Sequence, residues 1–105
     1  MWFIFPQIAG LGHSAMAQRY AISSLREAQA YLDHAILGPR LRECTRLLTG
    51  VEGRSAREIL GPPDDMKFRS CLTLFAHAAP DEQIFRDALD KYFNGDFDRS
   101  TVERL

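Results

Sequence analysis

Apolar positions recur along this chain at the three- and four-residue intervals of a helix, not at the two-residue alternation of a half-buried strand. Leu25, Ala28 and Leu32 make one stripe, and Leu41, Cys44 and Leu48 make a second. Phe68, Cys71, Leu72 and Phe75 form a third, and Ile84, Phe85, Ala88, Leu89 and Tyr92 a fourth. The polar positions between them carry the start signals. Ser24-Leu25-Arg26-Glu27, Ser55-Ala56-Arg57-Glu58 and Ser100-Thr101-Val102-Glu103 each fit the capping box, in which a hydroxyl and a carboxylate satisfy the orphan amides of a first turn. Pro39 and Pro80 suit first-turn positions, and Gly38, Gly50, Gly61 and Gly95 sit where helices end or loops turn.

These marks predict helices near residues 15–20, 24–34, 39–49, 56–60, 64–78, 81–93 and 100–105. Several are too short to persist alone and must be held by packing. The expected fold is all-α: a compact multihelical single domain of about six short helices spanning residues 1–105.

Composition agrees. Val occurs twice and Thr four times against twelve Ala and twelve Leu, a balance that favours helices over the β-branched surfaces of sheets. A chain of 105 residues has room for one core and not two, with a radius of gyration of about 13 Å. Residues 1–52 hold five basic and four acidic side chains and residues 53–105 hold eight and ten, so neither half is the basic footprint that nucleic acid requires. Cys44 and Cys71 are too few for a disulfide framework and have no metal-ligand spacing. The opening Met1-Trp2-Phe3-Ile4-Phe5 lacks a basic lead-in and stops at Pro6-Gln7, so it reads as neither signal peptide nor membrane span. A cytoplasmic protein is expected, with no cofactor, nucleic acid or membrane as partner.

Three stretches taken in order carry a family resemblance. They are Trp2-Phe3-Ile4-Phe5-Pro6-Gln7 with Gly10-Leu11-Gly12, then Tyr20-Ala21-Ile22 through Glu27-Ala28 and Tyr31-Leu32 to Leu37-Gly38, then Gly61-Pro62-Pro63-Asp64-Asp65-Met66-Lys67-Phe68-Arg69-Ser70 with Thr73-Leu74-Phe75. The pattern continues through Phe85, Leu89, Tyr92-Phe93, Asp98 and Thr101, and the chain resembles the bacterial domain-of-unknown-function family 1810 over nearly its whole length. The resemblance implies a small, soluble, mainly helical protein and brings no reaction with it. Members usually carry an amphipathic helix ahead of the Trp-Phe segment, so the resemblance implies a chain lacking that helix or a start lying upstream of Met1.

The most chemically loaded block is Gly61 to Phe75. Its prolines stiffen a turn, Asp64 or Asp65 is expected to cap the next helix, and Asp65 and Arg69 stand at the i, i+4 spacing of a surface ion pair. A helix start bearing Lys67, Arg69 and Ser70 would suit a phosphate or carboxylate, with Asp65 as the one candidate acid or base. Trp2, Phe5 and Gln7 offer a stacking platform with a polar edge, and Tyr20 the side of a pocket beside it, although packing into a small core is the simpler account of the aromatics. The candidate ligand site is therefore Trp2, Phe5, Gln7, Tyr20, Lys67, Arg69 and Ser70, for a small polar ligand of nucleotide or sugar-phosphate type, with weak hydrolytic cleavage as the reaction such a site would carry.

No metal site is expected. His13 falls in a loop, while His34 and His77 close two helices, where a cationic imidazole complements the dipole. Cys44 and Cys71 lie within apolar stripes as small core residues. The rival reading is a non-enzymatic, self-associating domain, a homodimer formed through the N-terminal aromatic segment and the Ile84, Phe85 and Tyr92 stripe.

Overall fold

The structure is a computed structural model and describes residues 5–11 and 21–105. Six helices lie among them: α1 Leu25–Asp33, α2 Leu37–Thr49, α3 Ala56–Leu60, α4 Asp64–Ala78, α5 Gln83–Phe93 and α6 Arg99–Glu103. No strand occurs among the described residues, and the domain is all-α. A single parallel bridge joins Ile8 to Ile22, with the Ala9 amide on the Ile22 carbonyl at 2.7 Å and the Ile22 amide on the Gln7 carbonyl at 2.8 Å. The helix expected at 15–20, with His13 before it, lies outside the described residues.

The capping chemistry comes out three ways. Ser55 and Glu58 form the full reciprocal box at the start of α3. Ser24 accepts the Glu27 amide as predicted, but the Glu27 carboxylate reaches one residue further back, to the amide and hydroxyl of Ser23. At α6 the cap is Asp98 and not Ser100: its Oδ2 accepts the Thr101 amide at 3.0 Å and the Thr101 hydroxyl at 2.6 Å. A carboxylate two residues upstream outcompetes the serine because it satisfies an amide and a hydroxyl together. The start of α4 departs more: Pro63 holds the cap position and neither aspartate caps it.

Gly38 does not end a helix, as its type suggested. It is buried as the second residue of α2, where a Cβ would fall 2.0 Å from the Leu32 carbonyl oxygen at the close of α1. The turn between α1 and α2 therefore needs a residue with no side chain. His34 closes α1 as expected, its amide on the Tyr31 carbonyl at 3.2 Å, and its ring serves the next helix. Its Nδ1 accepts the amides of Ile36 at 3.1 Å and Leu37 at 3.2 Å at the start of α2.

The core is built round α4. Phe68, Cys71, Leu72, Thr73, Leu74, Phe75, Ala76 and Ala78 are all buried, so this helix is enclosed on nearly every side, a wider face than the predicted stripe. Helices α1, α3, α5 and α6 pack against it, and α2 lies across α1 and α5. Aromatic contacts join the layers: Phe75 meets Phe85 at 5.7 Å and Tyr31 at 5.6 Å, while Phe68 meets Phe5 edge-on at 4.8 Å. The radius of gyration, 12.6 Å, matches the expectation for this length. Phe85 is fully buried and Ile84 and Tyr92 pack on the core, so the predicted partner stripe on α5 faces inward.

Candidate functional site

The site begins where the N-terminal segment meets the first turns of α4. Phe5 is buried and packs on Phe68, which stands three residues after Asp65 and so shares its side of the helix. Gln7 is also buried, and its carbonyl is taken by the Ile22 amide. The two blocks that the sequence singled out thus meet through Phe5. Trp2 and Tyr20 lie outside the described residues.

At the helix start, the Asp65 amide donates to Gly61 O at 3.1 Å, and the Met66 and Lys67 amides donate to Pro63 O at 3.1 and 3.2 Å. These first-turn donors already have acceptors in the preceding turn, which removes much of the anion-binding character of a free helix N-terminus. Lys67 Nζ stands 3.6 Å from Asp64 Oδ1. Arg69 makes no pair with Asp65. Its Nε and Nη2 donate to the carbonyls of Asp96 and Phe97, both at 3.1 Å, and its guanidinium lies 5.7 Å from the centre of the Phe93 ring. Ser70 is buried and its hydroxyl donates back to Met66 O at 3.1 Å.

Asp65 is left as the exception. Its Oδ1 is closed to solvent and has no hydrogen-bond partner, the one such side-chain atom found among the described residues. Buried polar atoms in folded proteins nearly always have a partner, which makes this oxygen the position in the block to test. Of the predicted set, then, Phe5 and Asp65 share one side of the α4 start, Lys67 stands about 200° round the helix from Asp65, and Arg69 and Ser70 are engaged within the fold.

An apolar cleft lies away from the start of α4. Phe5, Cys44, Leu47, Leu48 and Leu60 bound an apolar cleft of about 250 Å³ in which Leu47 is 64% exposed. Its walls come from the N-terminal segment, α2 and α3, so only the i, i+3, i+4 run Cys44, Leu47, Leu48 hinted at it. Both cysteines are free; Cys71 is fully buried, and burial pushes its thiol well above the usual range. His77 closes α4 with Nδ1 2.8 Å from Thr73 O, as a helix-end imidazole should. Among the described residues no group of three or more His, Cys, Asp or Glu is placed to hold a metal ion, and no helix is long and apolar enough to cross a membrane.

The fold has a close counterpart of known structure. The conserved hypothetical protein Rv1873 from Mycobacterium tuberculosis is 59% identical and superposes with a TM-score of 0.97 over 99% of this chain and 74% of that one. No match was found among curated proteins. The family model described as "Protein of unknown function (DUF1810)" matches residues 1–105, and the chain belongs to that family.

Proposed function

We propose that this protein is a binding module for a small, hydroxyl-bearing polar ligand of nucleotide or sugar-phosphate type, seated at the start of α4 beside the N-terminal segment. The observation that carries the reading is Asp65 Oδ1, shut off from solvent with no donor. Leaving a buried acceptor unpaired costs about 1–3 kcal/mol, and a ligand hydroxyl that displaces the groups covering this oxygen would supply the missing bond. With the first-turn amides already bonded and Lys67 on the far side of the helix, paired with Asp64, recognition rests on Asp65 taking a ligand hydroxyl beside Phe5. Titrating ribose 5-phosphate into the ¹⁵N-labelled protein tests this. Amide shifts confined to residues 64–68 and the segment about Phe5 are expected. No shifts up to about 10 mM, or shifts elsewhere, would sink the assignment.

A second reading, self-association, is favoured by the apolar cleft, because Leu47 stands 64% exposed at its lip. An exposed leucine beside an open apolar cleft suits a protein contact better than water. Size-exclusion with light scattering separates the two readings: a dimer that Leu47→Asp converts to monomer supports association, and a monomer at all concentrations removes it.

A further inference from the structure

Arg69, Thr73 and His77 leave α4 at i, i+4 and i+8 and so form a single row along the helix. All three are turned toward one short segment. Arg69 holds the carbonyls of Asp96 and Phe97, Thr73 Oγ1 accepts the Asp98 amide at 2.8 Å, and the His77 ring lies 4.6 Å from that of Phe97. The helix itself orients the row, since the Thr73 hydroxyl donates to Arg69 O at 2.9 Å and His77 Nδ1 faces Thr73 O.

The segment beyond is held differently from the rest of the fold. Helix α6 is five residues long, a length that does not persist unaided. Phe97, Val102 and Leu105 are 37%, 40% and 41% exposed, so its large apolar side chains add little to the core. Thr101 is buried, but its amide and hydroxyl both bond to Asp98 within the same segment. Upstream, the chain leaves α5 through two successive left-handed residues, Asn94 at φ 56° and Gly95 at φ 75°. Downstream, Arg104 lies against the turn at Gly10, where a Cβ would meet its Nη1 at 2.6 Å.

We propose that residues 94–105 form a strap that opens from α4 as one unit, hinged at Asn94 and Gly95 and latched by Arg69, Thr73 and His77. Buried aromatic and aliphatic side chains hold α1, α2, α4 and α5 together and resist local opening; residues 94–105 bury Thr101 alone and otherwise rely on hydrogen bonds to backbone atoms, which resist it less. Opening uncovers a guanidinium, a hydroxyl and an imidazole in a row about 12 Å long.

Native-state hydrogen exchange in low denaturant tests the strap in the full chain. The Thr101 and Val102 amides, bonded to Asp98, are expected to be protected about a hundredfold less than those of Leu72 and Phe75. Arg69→Ala should lower protection at Asp98, Thr101 and Val102 about tenfold further while leaving Phe75 unchanged. Thr73→Val, which keeps the side-chain shape, should act in the same direction. Exchange of Thr101 and Val102 at the same free energy as Phe75, or variants that shift every amide alike, would overturn the proposal.

Discussion

Asp64 and Asp65 carry the same charge in the same turn of α4, yet the structure predicts opposite signs for their removal. Asp65 Oδ1 is buried without a partner, and replacing the residue by alanine relieves about 1–3 kcal/mol of uncompensated desolvation. Alanine adds up to about 0.7 kcal/mol of helix propensity. Against this, the variant loses an acid in the first turn, which contributes about 0.3–1 kcal/mol with the dipole. The net is a stabilisation of about 1–3 kcal/mol, a rise in Tm of at least about 4 °C for a domain of this size. Asp64 is 42% exposed on its side chain and pairs with Lys67, so Asp64→Ala loses the dipole and ion-pair contributions against the same gain in propensity and should cost about 0.5 kcal/mol. Urea unfolding followed by circular dichroism reads both. If Asp65→Ala instead destabilises by about 1 kcal/mol or more, its carboxylate is a structural contact and the case for a ligand at this oxygen falls.

Three further outcomes follow from single contacts. Gly38→Ala forces a Cβ into the Leu32 carbonyl and should destabilise by about 1–3 kcal/mol, whereas a gain in stability would mean that propensity outweighs the close approach. The Tyr92 hydroxyl donates to Leu48 O and faces Val51 O at 3.4 Å, capping the end of α2 from α5, so Tyr92→Phe should lose about 1–2 kcal/mol in thermal unfolding, and a neutral result would show that water replaces it. Arg42 grips Glu82 through two bonds of 2.6 and 2.9 Å, which hold the Glu82 carboxyl below its ordinary value of 4.5. That stabilisation is in full force above the unfolded value and is lost as pH falls through the lower folded one, so Glu82→Gln should flatten the acid limb of a stability-against-pH profile; an unchanged limb would refute the coupling.

How much of this was legible depended on sequence distance. The Ser55 and Glu58 box could be read because both partners lie within one turn, and the same locality made the helices predictable within a few residues. Where several acceptors compete, type and spacing do not decide: Asp98 displaced Ser100 as the cap of α6. Arg69 sat at the right spacing for Asp65, but it reaches carbonyls 27 and 28 residues away, contacts that exist only once α5 has folded back along α4. Gly38 looked like punctuation because its type is common at helix ends; the crossing that demands it is tertiary. The start of α4 was identified as the loaded block, and Phe5 does lie against it. That one oxygen of Asp65 would be stranded could not be read from spacing, since burial of a single atom depends on what every neighbouring element leaves uncovered.

A thermal-shift panel of nucleoside and sugar phosphates against the wild-type chain and Asp65→Ala tests the central claim most directly. The account predicts that at least one compound raises the wild-type Tm in a concentration-dependent way and leaves Asp65→Ala, itself the more stable chain when free, unmoved. A panel in which nothing stabilises the wild type, or in which a compound stabilises both chains equally, contradicts it.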